Sequence, residues 1–195
     1  MLTDTPLAPE ELIFTEELLG QELIFHTAWG LFSPRQIDEG TKLLLCQLSL
    51  RLGDNNLDFG CGYGAIGLTM AKLSSQGHTH LVDKDFVAVE FAKKNAEVNE
   101  IPNAEIYLSN VFSHVTKKDF NNIVSNIPGG IGKEVLSTFF SQAPDHLRTG
   151  GSIYVVCISG LKEFVKSHLL ANFNNCDKLA QGKTYTVYKA VKNES

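Results

Sequence analysis

The run Asp58-Phe59-Gly60-Cys61-Gly62-Tyr63-Gly64 constrains this chain more than any other segment. It follows a short apolar stretch, Leu57–Phe59, that reads as a strand, and it opens a helix over Ala65–Leu73. Glycine lacks a Cβ, so such a loop can turn tightly and bring its backbone against a ligand. The next strand, His80–Val82, ends at Asp83, where a carboxylate can accept both hydroxyls of a ribose. The spacing is D-x-G-x-G-x-G and not G-x-G-x-x-G, so the third glycine falls one place early for cradling a pyrophosphate at the helix N-terminus. Asp58 can instead offset the positive charge of a ligand carrying an ammonium and a sulfonium, directly or through water.

The rest of the chain alternates in the same way. Helices are expected over Asp38–Leu50, Phe86–Val98, Gly132–Leu147 (interrupted or restarted near Pro144) and Leu161–Phe173. Strands are expected at Ile106–Leu108, Ile123–Val124 and Ile153–Ile158, the last a continuous apolar run typical of a buried parallel strand. Thr184–Tyr188 should pair with Lys178–Ala180 in a closing hairpin. Near the start, Leu12–Phe14 and Leu23–Phe25 flank Gly20 and read as two strands and a turn, with a short helix at Pro9–Leu19 as the alternative. Together these predict an α/β, doubly wound, Rossmann-like fold. Its seven-stranded sheet is mostly parallel, with a C-terminal antiparallel hairpin and a short N-terminal β extension. The expected division is an extension over 1–36, packing over the ligand site, and a main domain over 37–195.

Composition excludes several function classes. The net charge of −5 argues against broad, charge-driven nucleic-acid binding. Lys93-Lys94 and Lys117-Lys118 are the candidates for a local basic rim, although solvated lysines are the simpler reading. The four cysteines form no CxxC pair, so neither a zinc site nor a disulfide framework is expected. Cys46 and Cys157 lie in apolar runs and read as reduced core residues. His78 and His80 alone make no metal site. No apolar run reaches the ~20 residues that span a bilayer. The first residues, MLTDTPLAPEEL, lack the basic n-region of a signal peptide. A cytoplasmic protein with no metal and no membrane partner is the expectation.

Further segments carry a resemblance. Gly30-Leu31-Phe32-Ser33, Ile37-Asp38-Glu39-Gly40-Thr41, the glycine loop, Ser109-Asn110-Val111-Phe112 and Ser125-Asn126-Ile127-Pro128-Gly129 together resemble the small-domain group of class I S-adenosylmethionine-dependent methyltransferases. That group includes bacterial small-subunit rRNA guanine-N2 methyltransferases and single-domain archaeal relatives. The likeness runs from about Phe25 to the C-terminus. The rRNA enzymes carry an extra degenerate N-terminal domain, which this chain is expected to lack. The resemblance implies S-adenosyl-L-methionine as cofactor. By position it assigns Asp58, Gly60, Cys61, Gly62, Gly64, Asp83 and Lys84 to the cofactor, and Asn110 and Val111 to its adenine. Phe32 and Ser33, with Gly30, belong to a segment that closes over it, and a plain core role for Phe32 is equally open. Asn126 lies at the same site.

The family's catalytic motif is Asn-Pro-Pro-aromatic. An exocyclic amine conjugated to a ring is a poor nucleophile. An Asn oxygen and the next backbone carbonyl can accept its two N–H bonds and aim the nitrogen, and proline stiffens the loop. Here the motif reads Asn126-Ile127-Pro128-Gly129. Asn126, Ile127 and Pro128 are therefore the catalytic candidates. Gly129 stands where the family has a base-stacking aromatic, so a planar substrate needs another one, such as Trp29 or Phe32. The leading expectation is N-methylation of guanine in rRNA. The alternatives are a protein side-chain amide or a small molecule, or a cofactor-binding module without catalysis in which Asn126 only caps a loop. Oligomeric state is not legible.

Overall fold

The computed structural model describes residues 10–194; the reading of residues 1–9 lies outside them. Two antiparallel strands come first, β1 (Glu11–Leu18) and β2 (Gln21–Ala28), joined by a turn in which Leu19 and Gly20 both take positive φ. The two-strand reading of this segment therefore holds over its helical alternative. The main body follows as α1 (Glu39–Leu45), β3 (Asn56–Phe59), α2 (Ala65–Leu73), β4 (Thr79–Asp83), α3 (Phe86–Val98), β5 (Ala104–Leu108), β6 (Phe120–Ile127), α4 (Lys133–His146), β7 (Leu147–Ile158), α5 (Lys162–Phe173), β8 (Asp177–Gln181) and β9 (Tyr185–Val191).

The seven-stranded sheet has the order β5-β4-β3-β6-β7-β9-β8. Strands β3 to β7 pair in parallel, and β9 pairs antiparallel with both β7 and β8. The expected fold class is thus observed. From β3 the chain winds outward through β4 to β5, then crosses back to lay β6 on the other side of β3. The carboxyl ends of β3 and β6 part at this reversal, the place where open α/β sheets bind ligands. Two apolar layers cover the sheet. Leu68, Met70, Leu81 and Tyr154 lie in one, and Phe120, Phe139, Phe140 and Val155 in the other.

The hairpin β1–β2 is docked by a specific device. Asn95 on α3 and Asn99 at its C-cap, one turn apart, present their amides to the outer edge of β2. Asn99 Oδ1 accepts from Ile24 N and its Nδ2 donates to Ile24 O; Asn95 does the same for His26. These amides replace a missing neighbour strand, so the edge is satisfied without further pairing. Asn95 Nδ2 also donates to Tyr63 O in the glycine loop, and Phe14, Phe25 and Tyr63 pack their rings together. The hairpin is thereby fastened to that loop.

Three readings need correction. Helix α1 ends at Leu45, not near Leu50. Gln47 and Leu48 make i→i+3 turn bonds to Leu44 and Leu45, which tighten the chain out of the helix. Its last residues, Leu44 and Leu45, are buried, but the next residue, Cys46, is exposed and not in the core, whereas Cys157 is buried as expected. Helix α4 runs unbroken through Pro144, which sits in its last turn and leaves one i→i−4 backbone bond unmade there. Among the described residues no cysteines are paired, no His/Cys/Asp/Glu cluster could hold a metal, and no helix is long and apolar enough to cross a membrane.

Candidate active site

A cleft of about 360 Å³ opens at the β3/β6 reversal, a size suited to a small-molecule ligand. Of the residues singled out from the sequence, Phe32, Gly60, Cys61, Gly62, Asp83, Lys84, Asn110, Val111, Asn126, Ile127 and Pro128 line it. Ser33, Asp58, Gly64 and Gly129 do not. Each of these four serves the site from behind or stands beside it.

The glycine loop forms one wall. Gly60 and Gly62 have φ of +72° and +55°, and a Cβ on either meets nothing within 4 Å. That emptiness is the space into which a ligand can approach the backbone. Gly64 also has positive φ, but a Cβ there would press on Leu68, so its role is to start α2 and pack it. Asp83 holds the loop from the end of β4. Its Oδ2 accepts from Gly62 N at 2.9 Å and its Oδ1 from Asp85 N at 3.0 Å. Both oxygens keep free lone pairs toward the cleft. Asp85 caps α3 by accepting from Val87 N at 2.8 Å.

Asp58 lies under the loop and fully buried. Its Oδ2 accepts from Gly67 N, in the first turn of α2, at 2.7 Å. Among the described residues, Oδ1 is the one buried side-chain oxygen or nitrogen without a hydrogen-bond partner. Burial, opposed by the Gly67 bond and reinforced by the Asp83 charge, raises its pKa to about 7. Oδ1 is thus a buried acceptor behind the glycines that calls for a donor or a positive charge. Burial also pushes the Cys61 thiol well up, with the Asp58 and Asp83 charges adding, so it is no nucleophile.

The opposite wall is β6 and the turn after it. Ser125 Oγ donates to Phe59 O at 2.9 Å and ties β6 to β3 where the strands begin to part. Asn126 Nδ2 donates to both carboxylate oxygens of Asp38, at 3.1 and 3.2 Å, and to Thr41 Oγ1 at 3.0 Å. A carboxylate can only accept, so the amide orientation is fixed and Oδ1 is left as an acceptor in the cleft. Asp38 and Thr41 also line the cleft. Neither was assigned a role from the sequence, where both belong to the resembling segment Ile37–Thr41 and Asp38 starts α1, which it does cap through Thr41 N. The Ile127 carbonyl follows directly, on a buried residue, and then Pro128, Gly129 and Gly130 are exposed. A Cβ on Gly129 would meet Ile158 Cδ1 at 2.8 Å, so that position faces Ile158 and not the cleft.

The lip over the cleft comes from the segment after β2. Leu31 is buried, while Phe32 is 56% exposed and Trp29 is 49% exposed, with the Arg35 guanidinium 4.6 Å from the Trp29 ring centre. A plain core role for Phe32 is thus excluded. Ser33 sits at φ +48° and braces the lip: its Oγ donates to Gln36 O, and its carbonyl accepts from Tyr63 Oη. Of the candidate lysines for a basic rim, Lys93, Lys94 and Lys117 each pair with a carboxylate, Glu90, Glu11 and Asp119 respectively, which agrees with the simpler reading of solvated lysines.

Comparison with known proteins matches this arrangement. The family model described as "Methyltransferase small domain" matches residues 22–189. The chain is 35% identical over 141 residues to YbxB of Bacillus subtilis, covering 71% of this chain and 70% of that one. It is 33% identical over 179 residues to ribosomal RNA small subunit methyltransferase C of Haemophilus influenzae, covering 89% of this chain and 52% of that protein. Among solved structures, the 16S rRNA N2 G1207 methyltransferase RsmC of T. Thermophilus, in complex with AdoMet and guanosine, superposes with a TM-score of 0.86 at 30% identity, covering 96% of this chain and 52% of that one. The chain therefore spans about half the length of these rRNA methyltransferases. The matched stretch takes in β2, the glycine loop and the acceptor strand alike, and the chain belongs to the methyltransferase small-domain family.

Proposed function

We propose that this domain is an S-adenosylmethionine-dependent N-methyltransferase acting on the exocyclic amine of guanine in rRNA. The observation that carries the reading is Asn126: its amide nitrogen is tied back to Asp38 and Thr41, so its oxygen is presented at the cleft beside the Ile127 carbonyl. Two acceptors side by side suit a group with two N–H bonds. They would hold the amine in the plane that aims its nitrogen, a positional gain and not a chemical one.

The residues present fit the cofactor. S-adenosylmethionine supplies an electrophilic methyl group on a sulfonium. Gly60 and Gly62 leave room against the backbone, Asp83 would hold the ribose hydroxyls, and Asn110 and Val111 would meet the adenine. Lys84 stands on the same rim. The buried, unpartnered Asp58 Oδ1 fits a cationic ligand on the far side of the loop. Phe32, on the lip braced by Ser33, would cover the ligand, and the described part of the N-terminal extension, residues 10–36, would close this side of the site. No general base is needed in this scheme, because the amine can lose its proton after the methyl group is in place.

The absent aromatic at Gly129 and the paired lysines favour a second substrate class, a protein side-chain amide or a small molecule. Labelled cofactor offered with fractionated cell extract separates the two, if RNA, protein and small molecules are scored apart. The expected result is label in small-subunit rRNA, on guanine, and none with Asn126→Ala. Label confined to protein or small molecules would replace the rRNA assignment.

A further inference from the structure

We infer that Asp38 is the positioning residue of the site, and that it sets which end of the Asn126 amide faces the substrate. This rests on the methyltransferase reading above and deepens it. An asparagine side chain is nearly symmetric in shape, so packing alone does not distinguish its oxygen from its nitrogen. Presented the wrong way round, Asn126 would offer N–H groups to an amine that also offers N–H groups, and the alignment would be lost. Something must break that symmetry, and an acceptor-only group does so.

Asp38 is that group. Its two oxygens lie 3.1 and 3.2 Å from Asn126 Nδ2 and contact it across 88 residues of sequence. Thr41 Oγ1 takes the same nitrogen at 3.0 Å, which by itself decides nothing, since a hydroxyl can donate or accept. Asp38 is itself fixed. It caps α1 by accepting from Thr41 N at 3.1 Å, and the next turn cannot shift: a Cβ at Gly40 would lie 2.8 Å from the Tyr185 ring on β9 and 2.9 Å from Asp38 Oδ1. Helix α1 is thus pressed onto the sheet so that its N-cap carboxylate serves the helix and the acceptor strand together.

The test pairs Asp38→Asn with Asp38→Ser. Serine keeps the helix cap, so a loss in that variant is not a loss of α1. Both variants should unfold near the wild-type midpoint and bind the cofactor as the wild type does. Turnover of guanine in transcribed small-subunit rRNA should fall by up to about 10²-fold in each. In an Asn126→Ala background, Asp38→Asn should cost nothing further, because the group it orients is gone. An additive loss in the double variant would overturn the proposal in favour of a purely structural role for α1. A second arm does not depend on the substrate. The Asn126 side-chain amide signals, identified by their disappearance in Asn126→Ala, should be protected from exchange in the wild type and shift and exchange faster in Asp38→Asn. Unchanged amide signals would overturn the positioning role. Absence of methyl transfer to guanine, with the amide signals responding as expected, would instead count against the guanine assignment alone.

Discussion

The two walls of the cleft are built on neighbouring strands but held in different ways. On the β3 side, backbone groups are gripped at several points: Gly62 N by Asp83, Gly67 N by Asp58, and the Tyr63 carbonyl by Asn95. On the β6 side the hold is through two side chains, Ser125 tied to Phe59 O and Asn126 to Asp38 and Thr41, and the chain beyond them runs exposed through Pro128, Gly129 and Gly130 into an α4 whose N-cap, Gly132, has no side chain to offer. A wall fixed through its backbone suits a ligand of constant shape. A wall fixed through two side chains, with an open turn after it, lets the turn decide which substrate enters.

That contrast predicts graded effects. The largest should come from Asn126→Ala. It removes an interaction strongest in the transition state, so kcat should fall by roughly 10²–10³ while cofactor affinity barely changes. Single-turnover rates alongside calorimetry check this. Full turnover by the variant would leave the β6 wall without a chemical role.

Asp83→Ala should strike the other wall. Two ribose hydroxyls lose charge-assisted acceptors, a loss of ~1.5–3 kcal/mol in binding. Gly62 N and Asp85 N lose theirs as well, so S-adenosylhomocysteine affinity should drop by at least that much. Calorimetry showing unchanged affinity would contradict the ribose assignment.

Asp58 gives a smaller, pH-dependent effect. Burial raises its pKa from 3.8 to about 7 in the folded chain. The folded state therefore binds the proton more tightly than the unfolded one, and its stability should fall as pH rises from 3.8 to about 7 and level off above. Cofactor carries positive charge and favours the ionised form, so its affinity should rise over the upper part of the same window. Asp58→Asn should flatten both profiles; parallel titrations of wild type and variant that superimpose would place the charge elsewhere.

The smallest effect is expected from Gly129→Tyr. A ring placed there starts toward Ile158 and does not reach the cleft, so it should cost about 1 kcal/mol of stability through crowding and leave kcat/KM unaltered. Increased turnover on RNA would show instead that the turn swings and can restore a stacking face.

Much of this protein was legible from local sequence. Alternating apolar runs and turn residues specify strands and helices within a few positions, and the D-x-G-x-G-x-G loop with Asp83 specifies a ligand-binding turn. The register of β6 carried Asn126 to the cleft. The helical face near Cys46 was less legible: an apolar run predicts a buried stripe but not where a helix stops, so Cys46 reads as core yet ends exposed.

What the sequence alone determined is the order of elements, the doubly wound topology and the identity of the loops at the β3/β6 reversal, because turn chemistry and hydrophobic period act over short spans. What only the tertiary structure decided are the pairings between distant side chains. Asp58 is buried behind the glycine loop because α2 closes over it. Asn95 and Asn99 became the edge partners of a hairpin about seventy residues away. Asp38 met Asn126 across 88 residues. Burial and partner choice depend on how whole elements pack, and no local pattern encodes the far end of such a bond.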